Sequence, residues 1–284
     1  MGSALVIGAR GMLGQDITAA LSDTHRVMAW DIDEIDITDR ARTVEQIAAA
    51  RPEIVVNAAA FVDLEACESD PDRAWLVNAA GAGHVAQGAE AAEASLVYIS
   101  TDYVFDGRAD SDYDEVAPPN PLNHYGRSKL AGERLSLSAC TRTCAVRTAW
   151  LFGHAPGNYV ARVLDAAVRD GVARMPDDQV ESPTYTGDLA AAIARLISCR
   201  ASGIVHMTSR GACTRAGFAA EVLRQAGRTE PVEVVEPRSA GRYARRPARP
   251  VLDCRLYRLL TGAELPAWPE GIGRYLAREH AGGT

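Results

Sequence analysis

Lysine is almost missing from this chain. Of 30 basic residues, 29 are arginine and only Lys129 is lysine. Much of that skew reads as coding bias, because alanine is also abundant, but it raises the question of why a lysine stands at that one position. Long hydrophobic runs are missing as well. No apolar stretch approaches the roughly 20 residues that cross a bilayer, which excludes a transmembrane helix. The segment Met1–Gly8 has no basic lead and runs straight into a glycine turn, so no secretory signal is expected and the cytoplasm is. The six cysteines (67, 140, 144, 199, 213 and 254) contain no C-x-x-C pair, and the six histidines are equally dispersed. Free thiols in a reducing compartment follow, and no zinc site.

What is present is an ordinary globular composition, 47% apolar over 284 residues. That is enough for one large domain or two modest ones. The net charge of −7 is unevenly spread. Residues 1–142 carry 23 acids against 11 bases, and residues 143–284 carry 14 against 19, so the halves stand at −12 and +5. The overall acidity argues against a nucleic-acid partner, while the basic half suits an anionic ligand.

Short apolar runs alternate with amphipathic stretches. Ala4–Ile7, Arg26–Trp30, Ile54–Asn57, Leu96–Ser100 and Cys144–Thr148 read as strands buried on both faces. Helices are expected over Asp16–Leu21, Arg42–Arg51, a long stretch after Pro71, and Tyr125–Leu137. This rhythm predicts an α/β fold, a Rossmann-type doubly wound parallel sheet. From residue 151 glycine and proline interrupt the pattern. We therefore expect a dinucleotide-binding domain over 1–150 and a smaller C-terminal α+β substrate lobe over 151–284, with the chain crossing back near 185–230.

Gly8-Ala9-Arg10-Gly11-Met12-Leu13-Gly14 follows the first strand and opens a helix. Glycines there allow a tight turn, close backbone approach to a pyrophosphate and tight helix–strand packing. Asp31 at the end of the second strand suits ribose hydroxyls and hence NADH, whereas Arg10 suits a 2′-phosphate and hence NADPH. The sequence leaves that choice open, and Asp31 reads equally well as a solvated acid at a strand end.

Tyr125 and Lys129 are four residues apart, so on a helix they share a face. A free phenol has a pKa of about 10, and a nearby cation brings it toward working range. Upstream, Ser100-Thr101 ends a buried strand where parallel sheets bind ligands, although two hydroxyls there also simply cap a strand. Together Thr101, Tyr125 and Lys129 form a candidate acid–base set.

These segments resemble the extended short-chain dehydrogenase/reductases, and within them the dTDP-4-dehydrorhamnose reductase family. The matching stretches include Gly8–Gly14, Ile35–Asp39, Val55–Ala60, Ser100–Gly107, Pro121–Glu133, Arg147–Gly153, Asp178-Gln179 with Ser182-Pro183-Thr184, and Arg245-Arg246-Pro247. The resemblance implies that NADPH or NADH lies over Gly8, Arg10, Gly11, Met12, Leu13 and Gly14. Its adenine would be near Asp36 and Ile37, and its ribose and nicotinamide near Ala58, Ala59 and Ala60. It implies hydride transfer to C4 of a dTDP-4-keto-6-deoxysugar with Tyr125 as proton donor, Lys129 on the ribose, and Tyr103 and Trp150 lining the sugar pocket; Val62 and Arg246 are further candidates for substrate contact. An epimerase or dehydratase on the same scaffold, or a non-catalytic NADP-binding regulatory subunit, are the other readings. A homodimer stays open, and Mg²⁺, used by some relatives, finds no acidic set here.

The chain also departs from the family pattern. Phe61-Val62 replaces an aromatic–threonine pair, Glu181 stands where a glycine is common, and Cys213–Phe218 replaces an aromatic-rich helix start. After Arg245-Arg246-Pro247, the usual polar positions are Arg249-Pro250. The arginines at 238, 242, 245, 246 and 249 suit a nucleotide diphosphate for one or two members, with the rest facing solvent.

Overall fold

In a computed structural model, residues 2–155, 158–237 and 243–282 are described. Arg238 and Arg242 of the arginine cluster lie outside them. The first half runs β1 (Gly2–Ile7), α1 (Met12–Ser22), β2 (His25–Trp30), α2 (Arg40–Ala50), β3 (Ile54–Asn57), α3 (Leu64–Ser69), α4 (Pro71–Trp75), a π-helix (Leu76–Gly81), α5 (Ala82–Ala91), β4 (Ser95–Thr101), α6 (His124–Ala139) and β5 (Thr143–Thr148). It continues through β6 (Leu151–Phe152), α7 (Tyr159–Asp170), β7 (Ala173–Met175), β8 (Val180–Glu181), β9 (Thr184–Tyr185), α8 (Thr186–Ser198) and β10 (Gly203–His206). The last elements are β11 (Cys213–Thr214), α9 (Arg215–Gln225), β12 (Val232–Val234), α10 (Arg255–Thr261) and α11 (Trp268–Gly282).

Six parallel strands form the main sheet in the order β10-β5-β4-β3-β1-β2. Successive side chains of a strand point to opposite faces, and each face here has its own core. Ala4 and Val6 of β1, Ile54 and Val56 of β3, and Val97 and Ile99 of β4 pack with Leu13, Ile17 and Leu21 of α1 and Leu189, Ile193 and Leu196 of α8. Leu5, Ile7, Val55 and Leu96 point the other way, toward Ile47 of α2 and Val85, Ala86 and Ala89 of α5. This is the doubly wound α/β arrangement expected from the alternation of apolar runs and helices.

Two details differ from the sequence reading. β2 is an edge strand, paired only with β1 and partly exposed along its length, so it is not buried on both faces. Its composition, His-Arg-Val-Met-Ala-Trp, mixes polar and apolar positions as an edge allows. The long helix after Pro71 is broken into α4, a π-helical turn and α5. Within that turn Asn78 is buried, its Nδ2 donating to Phe61 O at 2.9 Å and to Ser128 Oγ at 3.0 Å. The Asn78 carbonyl also lies so close to Gly132 of α6 that a Cβ there would come within 2.0 Å of it. The local widening thus lets α6 sit against this helix.

The second core gathers Phe152, Val160, Val163, Phe218, Val222, Ile272 and Tyr275 from β6, α7, α9 and α11. Its strands are only two or three residues long. A hydrogen bond from Arg278 Nη1 of α11 to the buried Asp16 of α1 (3.0 Å) ties this lobe to the sheet domain, and Thr186 Oγ1 of α8 donates to the same carboxylate at 2.6 Å.

Candidate active site

The β1–α1 turn is built around glycine for steric reasons. Gly8 has φ +80°, and a Cβ on it would lie 2.6 Å from Ala59 N. A Cβ on Gly14 would lie 2.0 Å from Gly8 O, so helix and strand approach as closely as backbones allow. Helices α2 and α6 have their first amides capped by Asp39 and Asn123, but α1 starts at Gly11 with no side-chain cap and no acid in its first turn. Its free N–H groups suit an anion, and a pyrophosphate fits there.

Beside this turn lies a cavity of about 600 Å³ lined by Gly8, Gly11, Asp31, Asp36, Ile37, Ala58, Ala59 and Ala60, among others. The Asp31 carboxylate accepts from Arg10 N at 2.8 Å and Ile32 N at 2.9 Å. Arg10 does not line this cavity. Its guanidinium turns to Asp33 at 2.7 Å and Glu34 at 3.5 Å.

Sharing Gly11, Ala58 and Ala60 with it is a second cavity, of about 430 Å³. Its lining includes Met12, Leu13, Gly14, Val62, Thr101, Tyr103, Tyr125, Lys129 and Trp150. Asn123 caps α6 and so sets Tyr125 and Lys129 within its first two turns. Lys129 is buried, donates from Nζ to Ile99 O at 2.6 Å, and stands 4.3 Å from the Tyr98 ring centroid. Burial lowers its pKa to about 7, against an opposing pull from Glu133. Burial raises the Tyr125 phenol above its ordinary value, with Asp102 and Cys67 adding to the effect and a hydrogen bond with Thr101 opposing it. The Tyr103 and Tyr125 rings meet edge to face at 6.0 Å. Thr101 Oγ1 donates to Asp102 Oδ1 at 3.0 Å. Trp150 holds a left-handed backbone, φ +36°, an uncommon and strained state for a bulky residue.

A third cavity, of about 590 Å³, shares Leu64 and Arg215 with the second and is lined by Arg162, Arg169, Arg174 and Arg246. Arg246 lies here and not in the second cavity, bound to Glu65 at 2.8 Å. Among the described residues, no group of three or more His, Cys, Asp or Glu side chains is placed to hold a metal ion. No helix among them is long and apolar enough to cross a membrane.

This groove of three joined cavities can be set beside known proteins. The RmlD substrate binding domain family matches residues 2–281. The chain belongs to that family. A spore coat polysaccharide biosynthesis protein, SpsK, of Bacillus subtilis is 34% identical over 277 residues, 97% of each chain. A dTDP-4-dehydrorhamnose reductase of Mycolicibacterium smegmatis is 37% identical over 87% of this chain and 75% of its own. The crystal structure of a dTDP-4-dehydrorhamnose reductase from Bacillus anthracis, in complex with NADP, superposes with a TM-score of 0.94 at 32% identity, covering 98% and 99% of the two chains.

On this RmlD-family fold the structure brings Thr101, Tyr125 and Lys129 into one cavity with Val62, Tyr103 and Trp150, and sets Arg10 and Arg246 apart from it. It also adds residues that sequence reasoning did not select. Asp102, Thr148, Glu181 and Arg215 line the same wall. Glu181 and Arg215 were visible only as breaks in the family pattern, and nothing in their spacing indicated that they meet.

Proposed function

We propose that this chain reduces the C4 ketone of a dTDP-4-keto-6-deoxysugar, using NADPH or NADH. The observation that carries this reading is the meeting of Thr101, Tyr125 and Lys129 in a cavity open on one side to the glycine turn and on the other to an arginine-lined hollow. A dinucleotide, a hexose and a nucleotide diphosphate need such a three-part groove. The activity named for the M. smegmatis relative supports the substrate class, and the NADP complex of the B. anthracis relative supports the cofactor. The scattered cysteines, each free, suit a reducing cytoplasm.

The residues of the cofactor groove fit the dinucleotide. Gly8, Gly11 and Gly14 would leave room for the pyrophosphate at the uncapped start of α1, Asp31 would hold the adenosine side, and Lys129 would hold the nicotinamide ribose. When bound, the reduced nicotinamide supplies a hydride to the carbonyl carbon. Tyr125 Oη gives its proton to the carbonyl oxygen as charge develops there, and Thr101 Oγ1 turns from Asp102 to donate to the same oxygen. The raised pKa of Tyr125 keeps its proton in place at neutral pH. An ammonium on Lys129 then lowers the cost of the phenolate left behind. Arg162, Arg174 and Arg246 would hold the diphosphate.

The test supplies dTDP-4-keto-6-deoxyglucose, with and without a 3,5-epimerase, and follows absorbance at 340 nm with each reduced cofactor. Oxidation in step with added ketone is expected. Copurified NAD⁺ with no net oxidation of either cofactor would overturn the reductase reading in favour of an epimerase or dehydratase.

A further inference from the structure

The sugar-side cavity contains charge that hydride and proton transfer do not use. Glu181 ends β8 and is 1% exposed. Its Oε2 accepts from Arg215 Nη2 at 2.9 Å and its Oε1 from Gln179 Nε2 at 3.2 Å. Arg215 begins α9, and its guanidinium lies 4.4 Å from the Trp150 ring centroid. The antiparallel pairing of β8 with β11, Cys213 opposite Glu181, brings the two side chains together. Asp102 stands close by and is equally buried. Burial raises its carboxyl well above the usual range, Glu181 adds to the rise and Arg215 opposes it.

The same wall is short of hydrogen-bond partners. Among the described residues, Asp102 Oδ2, Thr148 Oγ1, Trp150 Nε1 and Arg215 Nε are buried without one. All four residues line the 430 Å³ cavity. Buried polar groups are nearly always satisfied, by protein, water or ligand, so four unpaired atoms on residues around one cavity leave bonding for a ligand to complete. A phosphate does not suit it, because acids flank the guanidinium and the neighbouring cavity offers more arginines. An ammonium does not suit it either, because two of the unpaired groups are N–H donors. A hydroxyl suits it, since it accepts from an N–H and donates to a carboxyl oxygen.

We propose that Glu181, Arg215 and Asp102 form a subsite for a ring hydroxyl of the hexose, at C2 or C3, and that this set decides which sugars are accepted. The inference rests on the reductase reading for its orientation. With C4 at Tyr125 and the diphosphate leaving from C1 across the ring, a side chain shared by the sugar and arginine-lined cavities meets the carbons between. Arg215 is the polar one of the two shared side chains, Leu64 being the other. Two of the positions that break the family pattern are thus in contact, and each accounts for the other. A buried Glu181 without Arg215 would be an unpaired charge.

The test has two arms. Calorimetry on the full chain, loaded with NADP⁺, measures binding of dTDP-glucose and its 2-deoxy and 3-deoxy counterparts. Steady-state kinetics compare kcat/KM for dTDP-4-keto-6-deoxyglucose and the matching deoxy ketones. At least one deoxy counterpart should lose roughly 100-fold, since a site built around a hydroxyl penalises its absence; the position that matters names the hydroxyl. Glu181→Gln, and separately the double variant Glu181→Gly with Arg215→Trp, should reduce that ratio below about threefold while NADP⁺ affinity holds. Equal handling of the three sugars by the wild type, or an unchanged ratio in both variants, overturns the subsite. Binding selectivity without turnover overturns the reductase reading and leaves the subsite standing; turnover without selectivity does the reverse.

Discussion

Two buried ion pairs, one joining the proposed catalytic helix α6 to the sheet and one in the wall of the sugar-side cavity, differ in how completely they are bonded. On the sheet side, Arg147 is 2% exposed and grips Glu133 through Nε at 3.0 Å and Nη2 at 2.6 Å. Ser100 Oγ donates to the same carboxylate, and Arg147 Nη1 meets His206 Nε2 at 3.3 Å. Burial and Arg147 lower the His206 pKa to about 3, so the ring is neutral and its Nδ1–H donates to Tyr113 O. In the cavity wall, Glu181 and Arg215 also pair closely, yet Arg215 Nε and the neighbouring Asp102 Oδ2 have no partner among the described residues. A closed network holds a scaffold in place. An open one in a cavity wall holds places for a ligand.

The largest expected effect is at Tyr125, which lines the same cavity as the open pair. Tyr125→Phe should lower kcat by about a thousandfold while NADP⁺ affinity, measured by calorimetry, stays within twofold, as removal of a proton donor requires. Unchanged turnover would remove Tyr125 from the proposed mechanism.

Next comes the closed pair itself. Glu133→Gln leaves Arg147 buried without its counter-charge and should cost about 3 kcal/mol in urea unfolding, whereas Glu181→Gln, in a network already incomplete, should cost about 1 kcal/mol. Equal losses would mean that the two pairs do the same structural work and the comparison fails.

The smallest expected effect on stability concerns the pH dependence at Lys129. Its pKa is lowered from 10.5 to about 7, so between those values the unfolded chain binds more protons than the folded one. The cost of burying the charge is therefore full below about pH 7 and fades as pH rises toward 10.5. Lys129→Met should be at least as stable as the wild type at pH 7, with the difference closing by pH 10, while turnover is lost. In the wild type, dinucleotide affinity should weaken as pH rises through about 7, because the ammonium is lost, and the variant should lack that slope. A Lys129→Met protein less stable, relative to wild type, at pH 7 than at pH 10 would show that the ammonium stabilises the fold, and would overturn the lowered pKa.

The strands of the main sheet were legible because apolar runs such as Leu5-Val6-Ile7 and Val55-Val56 have no polar face to expose, and only a sheet covered on both sides accommodates them. The Tyr125/Lys129 pair was legible because helical spacing alone puts both on one face. The edge position of β2 and the π-helical turn at Asn78 were not, since each depends on which neighbour is present or absent in space. Arg246 was placed with the substrate from its motif, but its ion pair with Glu65 joins residues 181 positions apart.

The sequence alone thus determined the fold class, the glycine turn and the one lysine of the chain, because each rests on local periodicity or on the steric demands of a few adjacent residues. Only the tertiary structure decided that Glu181 meets Arg215, that Asp102 joins them without a full set of hydrogen bonds, and that Arg10 is turned to Asp33 and Glu34. Those contacts come from the pairing of two-residue strands and from loops, where no periodic pattern in the chain records which residues will become neighbours.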